Sequence, residues 1–250
     1  MYAIEVKDVH KSFDGLPVLK GVDLQIPRGE ITVIVGGSGV GKSVLLKHMI
    51  GLMKPDRGSI VVDGVDITRL GSRELNRIRR KFGMLFQSAA LFDSMTVEEN
   101  VAFPLREHTK LKPRQIRRKV REKLRLVGLE RVERKMPAEL SGGMRKRVGL
   151  ARAIALEPEI ILYDEPTTGL DPILCDAIER LIKRMQEELD ITSVVISHDI
   201  EGSFRIANHL AMLHAGHIIE AGRPEEFRNS ANPAVRQFLS GSSEGPIKVY

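Results

Sequence analysis

This chain has little of what would mark a secreted or membrane-embedded protein. It carries one cysteine, Cys175. That excludes an internal disulfide and fits a reducing cytosol, with the thiol read as an inert side chain on a helix. No apolar run approaches the ~18–20 residues of a membrane span. A charged-then-apolar leader is missing too: Met1 runs straight into the alternating, strand-like Tyr2-Ala3-Ile4-Glu5-Val6, so no signal peptide is expected. There is no internal repeat and no low-complexity tract.

Hydrophobic residues make up 42% of the 250, enough for a sizeable core in one large α/β domain or two small ones. Net charge is +6, which bears on partners and not on fold. Two segments hold much of it: Arg69 to Lys81, and Lys110 to Arg125. In the second, Ile116, Val120, Leu124 and Val127 recur at helical spacing, so Arg117, Arg118, Lys119 and Arg121 share other faces. Either this is a solvated helix surface, or it attracts anionic lipid headgroups or nucleic acid. No aromatic residues are interleaved for base stacking, which weakens the nucleic-acid version.

Residues 36–43 read Gly-Gly-Ser-Gly-Val-Gly-Lys-Ser. They lie between the apolar run Ile31–Val35 and a helical pattern over Lys42–Leu52. Strand, glycine-rich turn and helix start together form a phosphate cradle. Gly36, Gly37, Ser38, Gly39, Val40 and Gly41 supply backbone N–H groups aimed at one anion. Lys42 adds a full charge, the Ser43 hydroxyl can ligate Mg²⁺, and the helix start contributes roughly half a positive charge.

Further along, Ile160–Tyr163 reads as a buried strand that delivers Asp164 and Glu165 at its end. Asp164 can hold Mg²⁺ and Glu165 can orient or deprotonate a water. Standing before Pro166, the pair could equally start a helix. Ser141 is an N-cap candidate before a helical run, with Gly142 and Gly143 open to close backbone approach. The strand Ser193–Ile196 ends in Ser197-His198-Asp199, where His198 either meets a terminal phosphate or is a structural residue. The alternation of strands with helices such as Ile173–Leu189 predicts an α/β fold with a mainly parallel sheet. Strand and turn signals up to Val62-Asp63-Gly64-Val65 predict an antiparallel β subdomain, and Arg106–Leu156 predicts an inserted helical lobe. His209, His214 and His217 fall on a hairpin turning at Ala215-Gly216, whose period-two alternation argues against a metal site. The stretch from Gly241 to Pro246 is expected to be extended or mobile.

Taken together, these motifs resemble the ATP-binding subunit of an ABC transporter, over about residues 3 to 230. Gly36–Ser43 matches the Walker A loop, Gln87 the Q-loop glutamine, and Ser141, Gly142, Gly143 and Met144 the signature motif. Asp164-Glu165 matches the end of Walker B, Asp171 the D-loop and His198 the switch histidine. Phe13 stands where the family places an aromatic ring against adenine. The resemblance implies a P-loop NTPase with a RecA-like core. It implies a single nucleotide-binding domain over 1–240, with a helical subdomain at 88–158 and a tail at 241–250. It also implies ATP and Mg²⁺ as cofactors, the metal held by Ser43, Gln87 and Asp164, with Glu165 and His198 catalytic. Because a P-loop and a partner's signature motif sandwich each ATP in this family, a head-to-tail pair of identical chains is implied. Two departures stand out: Gly37 where many relatives have proline, and Met144 where glutamine is usual.

Residues 84–109, with Val235–Gly241 and Gly245-Pro246, are similar more narrowly to the ATPases of Mla-type transporters, which move phospholipid and work with MCE-domain proteins. That likeness implies a membrane permease, an MCE-domain lipid binder, a small STAS-domain protein in many systems, no nucleic acid, and a peripheral place on the cytoplasmic face of the inner membrane. It makes residues 87–105, with Leu91, Phe92 and Phe103, the expected groove for a permease helix. Val235, Phe238 and Leu239 become a cluster that docks on the partner subunit. The alternatives are another ABC transporter, or a soluble ABC ATPase acting on nucleic acid.

Overall fold

Ile31–Val35 is buried at every position on both faces, the condition of a central strand in a parallel sheet. The computed structural model describes residues 1–248. Val249 and Tyr250, the end of the expected tail, lie outside the described residues. In chain order the elements are β1 (Tyr2–Phe13), β2 (Leu16–Pro27), β3 (Ile31–Val35), α1 (Lys42–Met49), β4 (Arg57–Val62), β5 (Val65–Asp66) and α2 (Ser72–Arg79). Next come β6 (Phe82–Leu85), α3 (Val97–His108), α4 (Pro113–Leu126), α5 (Gly142–Ala153), β7 (Ile160–Asp164) and α6 (Pro172–Leu189). The chain finishes with β8 (Thr192–Ser197), α7 (Ile200–Ile206), β9 (His209–His214), β10 (His217–Gly222), α8 (Pro224–Arg228) and α9 (Pro233–Ser240). Among the described residues, 1–79 with 192–248 form one compact unit and 80–191 another.

The first unit holds the antiparallel sheet β2-β1-β4-β5 and the strands β10-β9-β3-β8. β3 pairs in parallel with both β8 and β9. Asp14-Gly15, Asp63-Gly64 and Ala215-Gly216 each close a hairpin with positive φ at both residues. Such mirror-image turns match the twist of the strands they join, and the predicted turn at 215–216 is among them. Helix α1 stops at Met49, short of the expected Leu52. Gly51 takes φ 68 there, and the N–H groups of Gly51 and Leu52 donate back to the His48 and Lys47 carbonyls at 2.9 Å each. This left-handed glycine cap ends the helix although the apolar pattern runs on.

The second unit holds the parallel pair β6 and β7, with α5 on β6 and α3, α4 and α6 packed on α5. Val101 and Leu105 on α3, Val120 and Leu124 on α4, and Val148 and Leu150 on α5 are buried. Helix α3 opens with a capping box: the Thr96 side chain accepts from Glu99 N–H, and the Glu99 carboxylate accepts from Thr96 N–H at 2.8 Å. The Thr96 N–H and then the Thr96 hydroxyl, both donating to it, hold the Glu99 carboxyl below its ordinary pKa. Asn100, fully buried, accepts from Phe92 N–H at 2.8 Å and donates to the Phe92, Met95 and Thr96 carbonyls. One side chain thus satisfies the backbone of the loop at 92–96.

The tail is not a free extension. After Gly241 caps α9 at φ 65, the Gln237 amide reaches back across it. It donates to the Ile247 carbonyl at 2.9 Å and accepts from Ile247 N–H at 2.7 Å. Gly245 lies against that amide so closely that a Cβ would stand 2.4 Å from Gln237 Oε1. Polar side-chain bonds order a segment whose composition alone reads as loop.

Removing the Asn100 amide takes the side-chain partner from Phe92 N–H and the Met95 carbonyl, while the Phe92 and Thr96 carbonyls keep their bonds from Met95 N–H and Asn100 N–H. Asn100→Ala is expected to lower unfolding stability by about 2 kcal/mol. Urea denaturation followed by circular dichroism checks it.

Candidate nucleotide-binding and catalytic site

In the first unit, β3 ends directly in the glycine loop. Gly36 has φ 151, and a Cβ there would stand 2.3 Å from Leu213 O. Gly41 has φ 104, and its Cβ would meet Val18 Cγ1 at 2.8 Å. Only glycine fits both places. Gly37 differs: it lies outside the left-handed region, and a Cβ would rest 3.7 Å from Val40, an ordinary contact. The departure from the commoner loop is therefore sterically permissive. Ser38 and Gly39 are exposed and Val40 half-buried.

Lys42 is 5% exposed, and its ammonium donates to the Gly36 and Gly37 carbonyls at 2.8 Å each. The lysine is thus folded along the loop that it would serve. Helix α1 begins at Gly41 without a side-chain cap, and its first turn contains no acidic residue. Its N-terminal amides and partial positive charge are left to an anion. Loop, lysine and helix start fit a nucleotide's phosphates, and the partly exposed Ser43 hydroxyl fits a hard cation beside them.

In register, Val35 lies opposite Ser197. The glycine loop and His198 therefore leave the sheet at the same C-terminal edge, where open α/β sheets bind ligands. His198 is exposed, while Asp199 beside it accepts from Gly202 N–H at 3.1 Å and caps α7. Phe13 sits at the β1–β2 turn with its ring 39% exposed and Lys11 Nζ 5.6 Å from the ring centre.

The second unit repeats this arrangement. Leu85 lies opposite Tyr163, so Gln87 and the pair Asp164-Glu165 emerge from one edge of β6 and β7. Glu165 has φ 46, unusual for a side chain of its size. Its Oε2 accepts from Gln87 Nε2 at 3.3 Å and from Thr168 Oγ1 at 2.9 Å. Lys146, 5% exposed on α5, donates to the Glu165 carbonyl at 3.2 Å and to the Gln87 carbonyl. Burial pushes the Lys146 ammonium below its ordinary pKa, against the attraction of Glu165 and Asp164. Glutamate backbone, glutamate carboxylate and Q-loop are tied into one cluster.

Sequence reasoning missed Lys146 and Thr168. Lys146 sits between Arg145 and Arg147 in a basic run, and nothing in composition marks it as the buried one. Arg152 was missed as well. Its guanidinium donates to the Ala89 and Ala90 carbonyls at 2.8 and 2.7 Å, where both alanines have positive φ. It also lies 5.9 Å from the Phe92 ring centre, and Phe92 meets Phe103 in a tilted pair with ring centres 5.0 Å apart.

Ser141 caps α5, its hydroxyl accepting from Met144 N–H at 3.3 Å. A Cβ on Gly142 would stand 3.4 Å from Leu170, and one on Gly143 would stand 3.3 Å from Leu174. Asp171 accepts from Ile173 and Leu174 N–H at 3.0 Å each and caps α6. That cap sits farther along than the Asp164-Glu165 alternative, so the acidic pair does not start the helix. Met144 is half-buried. Among the described residues no cluster of histidine, cysteine or carboxylates could hold a metal ion by itself.

A family model described as ABC transporter matches residues 19–168. The chain is 49% identical over 245 residues to the probable ribonucleotide transport ATP-binding protein mkl of Mycobacterium leprae, covering 98% of this chain and 71% of that one. It is 46% identical over 245 residues to the intermembrane phospholipid transport system ATP-binding protein MlaF of Haemophilus influenzae, covering 98% and 93%. To MlaF of Escherichia coli K12 it is 42% identical over 244 residues, covering 98% and 91%. Among solved structures, cbiO1 of Clostridium perfringens, part of the transporter complex cbiONQ, aligns with TM-score 0.84 and 34% identity, covering 92% of this chain and 91% of that one. The ATP-binding cassette MJ0796, solved as a dimer bound to ADP and Pi, aligns with TM-score 0.82 and 34% identity, covering 88% and 98%. With this fold, and with a phosphate cradle and a held glutamate at the ends of parallel strands, the chain belongs to the ABC transporter family as an ATP-binding, ATP-hydrolysing subunit.

Proposed function

We propose that this chain powers phospholipid transport through a membrane permease that works with an MCE-domain lipid-binding protein and a STAS-domain protein. The relatives named for intermembrane phospholipid transport, MlaF of Haemophilus influenzae and of Escherichia coli at 46% and 42% identity, support this cargo. The other cargo named among the relatives is ribonucleotide, for the mycobacterial protein at 49% identity. Membrane complexes purified with the chain and analysed for bound lipid test the choice. Co-purifying phospholipid supports it, and a nucleotide cargo with no lipid overturns it.

In this reading two copies associate head to tail. Each brings one glycine loop and one signature segment, so neither closes a site alone. Gly36 to Ser43 hold the phosphates of ATP, and Phe13 stacks on its base. Ser141, Gly142, Gly143 and Met144 face the nucleotide bound by the other copy, with Asp171 beside the interface. Ser43, Asp164 and Gln87 would hold Mg²⁺, which would neutralise phosphate charge. Glu165 takes a proton from the attacking water, a role worth about 10²–10⁴ in rate. The observation that carries it is the grip on Glu165: Gln87 and Thr168 fix its carboxylate while Lys146 fixes its backbone. His198 orients the terminal phosphate from its own strand end.

Phe92 and Phe103, 42% and 37% exposed, give an aromatic pair on residues 87–105 that suits an amphipathic permease helix. Among the described residues no helix is long and apolar enough to cross a membrane. The likeness to MlaF of intermembrane phospholipid transport systems supports a peripheral place on the cytoplasmic face of the inner membrane.

Glu165→Gln is expected to cut ATP turnover by roughly 10²–10⁴-fold while ATP binding persists. Steady-state phosphate release and a nucleotide-binding titration check both halves, and normal turnover removes Glu165 from its role. Lys146→Met is expected to lower kcat roughly tenfold with KM for ATP little changed, because it loosens Glu165 and not the cradle. Lys146→Arg should restore part of the loss. Gly41→Ala is expected to abolish nucleotide binding, whereas Gly37→Ala should bind and hydrolyse ATP nearly as the parent does, measured in the same assays.

A further inference from the structure

The basic helix anticipated over residues 110–125 carries more order than a solvated face requires. On α4, Arg114, Arg117, Arg118, Arg121 and Arg125 fall at helical spacing along one stripe, opposite the buried Ile116, Val120 and Leu124. With Arg184 of α6 they line a cavity of about 700 Å³, completed by Glu122 and Leu126.

The basic residues are sorted by type. Lys119 and Lys123 turn away to Glu157, at 2.7 and 3.1 Å. Every cationic side chain lining the cavity is an arginine. The single carboxylate among the lining residues, Glu122, is engaged by Lys123 at 3.1 Å. Arg184 meets Glu188 at 3.0 Å, and Arg121 lies 3.8 Å from Glu133. Arg114, Arg117, Arg118 and Arg125 meet no carboxylate within ion-pair distance among the described residues.

Like charges three and four positions apart on a helix repel, so this stripe works against α4 unless something neutralises it. A cavity walled by guanidinium forks suits an anion with several oxygens in a plane-matched array, and phosphate is that anion. No aromatic side chain lines the cavity for base stacking, which disfavours nucleic acid.

We propose that the α4–α6 cavity is a second anion site, separate from the glycine loop, that binds a phosphate-bearing ligand through Arg117, Arg118 and Arg121. The phosphate comes either from a soluble polyphosphate or from the headgroup of an anionic lipid.

The test uses the full chain carrying Lys42→Ala, so that the glycine loop does not contribute. Pyrophosphate binding is measured by calorimetry. Binding to vesicles of phosphatidylglycerol with phosphatidylcholine, or of phosphatidylcholine alone, is measured by co-sedimentation. A triple variant, Arg117→Gln, Arg118→Gln and Arg121→Gln, is compared with a control that removes three charges from the other basic segment, Arg73→Gln, Arg77→Gln and Arg80→Gln. The cavity variant is expected to lose at least roughly tenfold in affinity while the control loses little. Loss in the pyrophosphate arm identifies a soluble ligand, and loss confined to phosphatidylglycerol vesicles identifies the lipid. Equal losses in both variants, or no binding by the parent in either arm, overturn the site. So does cavity-dependent binding to duplex DNA without binding in either phosphate arm. In the chain with Lys42 intact, unchanged ATP turnover by the cavity variant verifies that it folds.

Discussion

Val35 lies opposite Ser197 and Leu85 opposite Tyr163, and those registers decide where the chemistry can be. Parallel strands held in register release their next residues at one edge. In the first unit that edge receives the glycine loop and His198. In the second it receives Gln87, Asp164 and Glu165. A slip of one residue in either pair would turn every following side chain to the opposite face. The fully buried strands Ile31–Val35, Ile160–Asp164 and Thr192–Ser197 make such a slip expensive, since each position is packed on both sides. The apolar core thus serves function mainly by fixing phase.

What the strands position, buried polar groups then hold. Lys42 and Lys146 are both 5% exposed, and both ammonium groups find main-chain carbonyls. A buried cation without hydrogen bonds would cost several kcal/mol, so each lysine in effect requires its loop to keep one shape. For Lys42 that shape is the glycine cradle. For Lys146 it is the left-handed turn at Glu165, a conformation costing of order 1–3 kcal/mol that persists only where surroundings enforce it. Helix α5 carries Ser141 at its cap and Lys146 one turn on. The segment proposed to face a partner's nucleotide is thereby rigidly joined to the residue that steadies this chain's own glutamate.

Much of this could be read from residue order. Ile31–Val35 is an unbroken run of β-branched residues, all but Thr32 apolar, and is expected with the bounds it has. The Ser141 cap and the hairpin at Ala215-Gly216 follow from local backbone chemistry, and the comparisons bear out the family. What escaped reading depends on partners distant in sequence. Gly51 ends α1 early by a cap that the continuing apolar pattern hides. Gln237 orders the tail through Ile247, a bond invisible to composition. Lys146 looks like its neighbours Arg145 and Arg147 until burial separates it from them. The freedom at Gly37 likewise emerges only when a Cβ is placed there and meets ordinary contact.

In the proposed function each ATP is hydrolysed between two copies of this chain. Complementation tests it most directly. A Lys42→Ala chain lacks a working cradle and a Ser141→Arg chain lacks a working signature segment, so each is inactive alone. In a mixed dimer one site combines both defects and the other combines neither. Phosphate release by an equimolar mixture should therefore rise to about a quarter of the parent's rate, set by random pairing in a two-fold assembly. A mixture no more active than its components would mean that no site is shared between two copies.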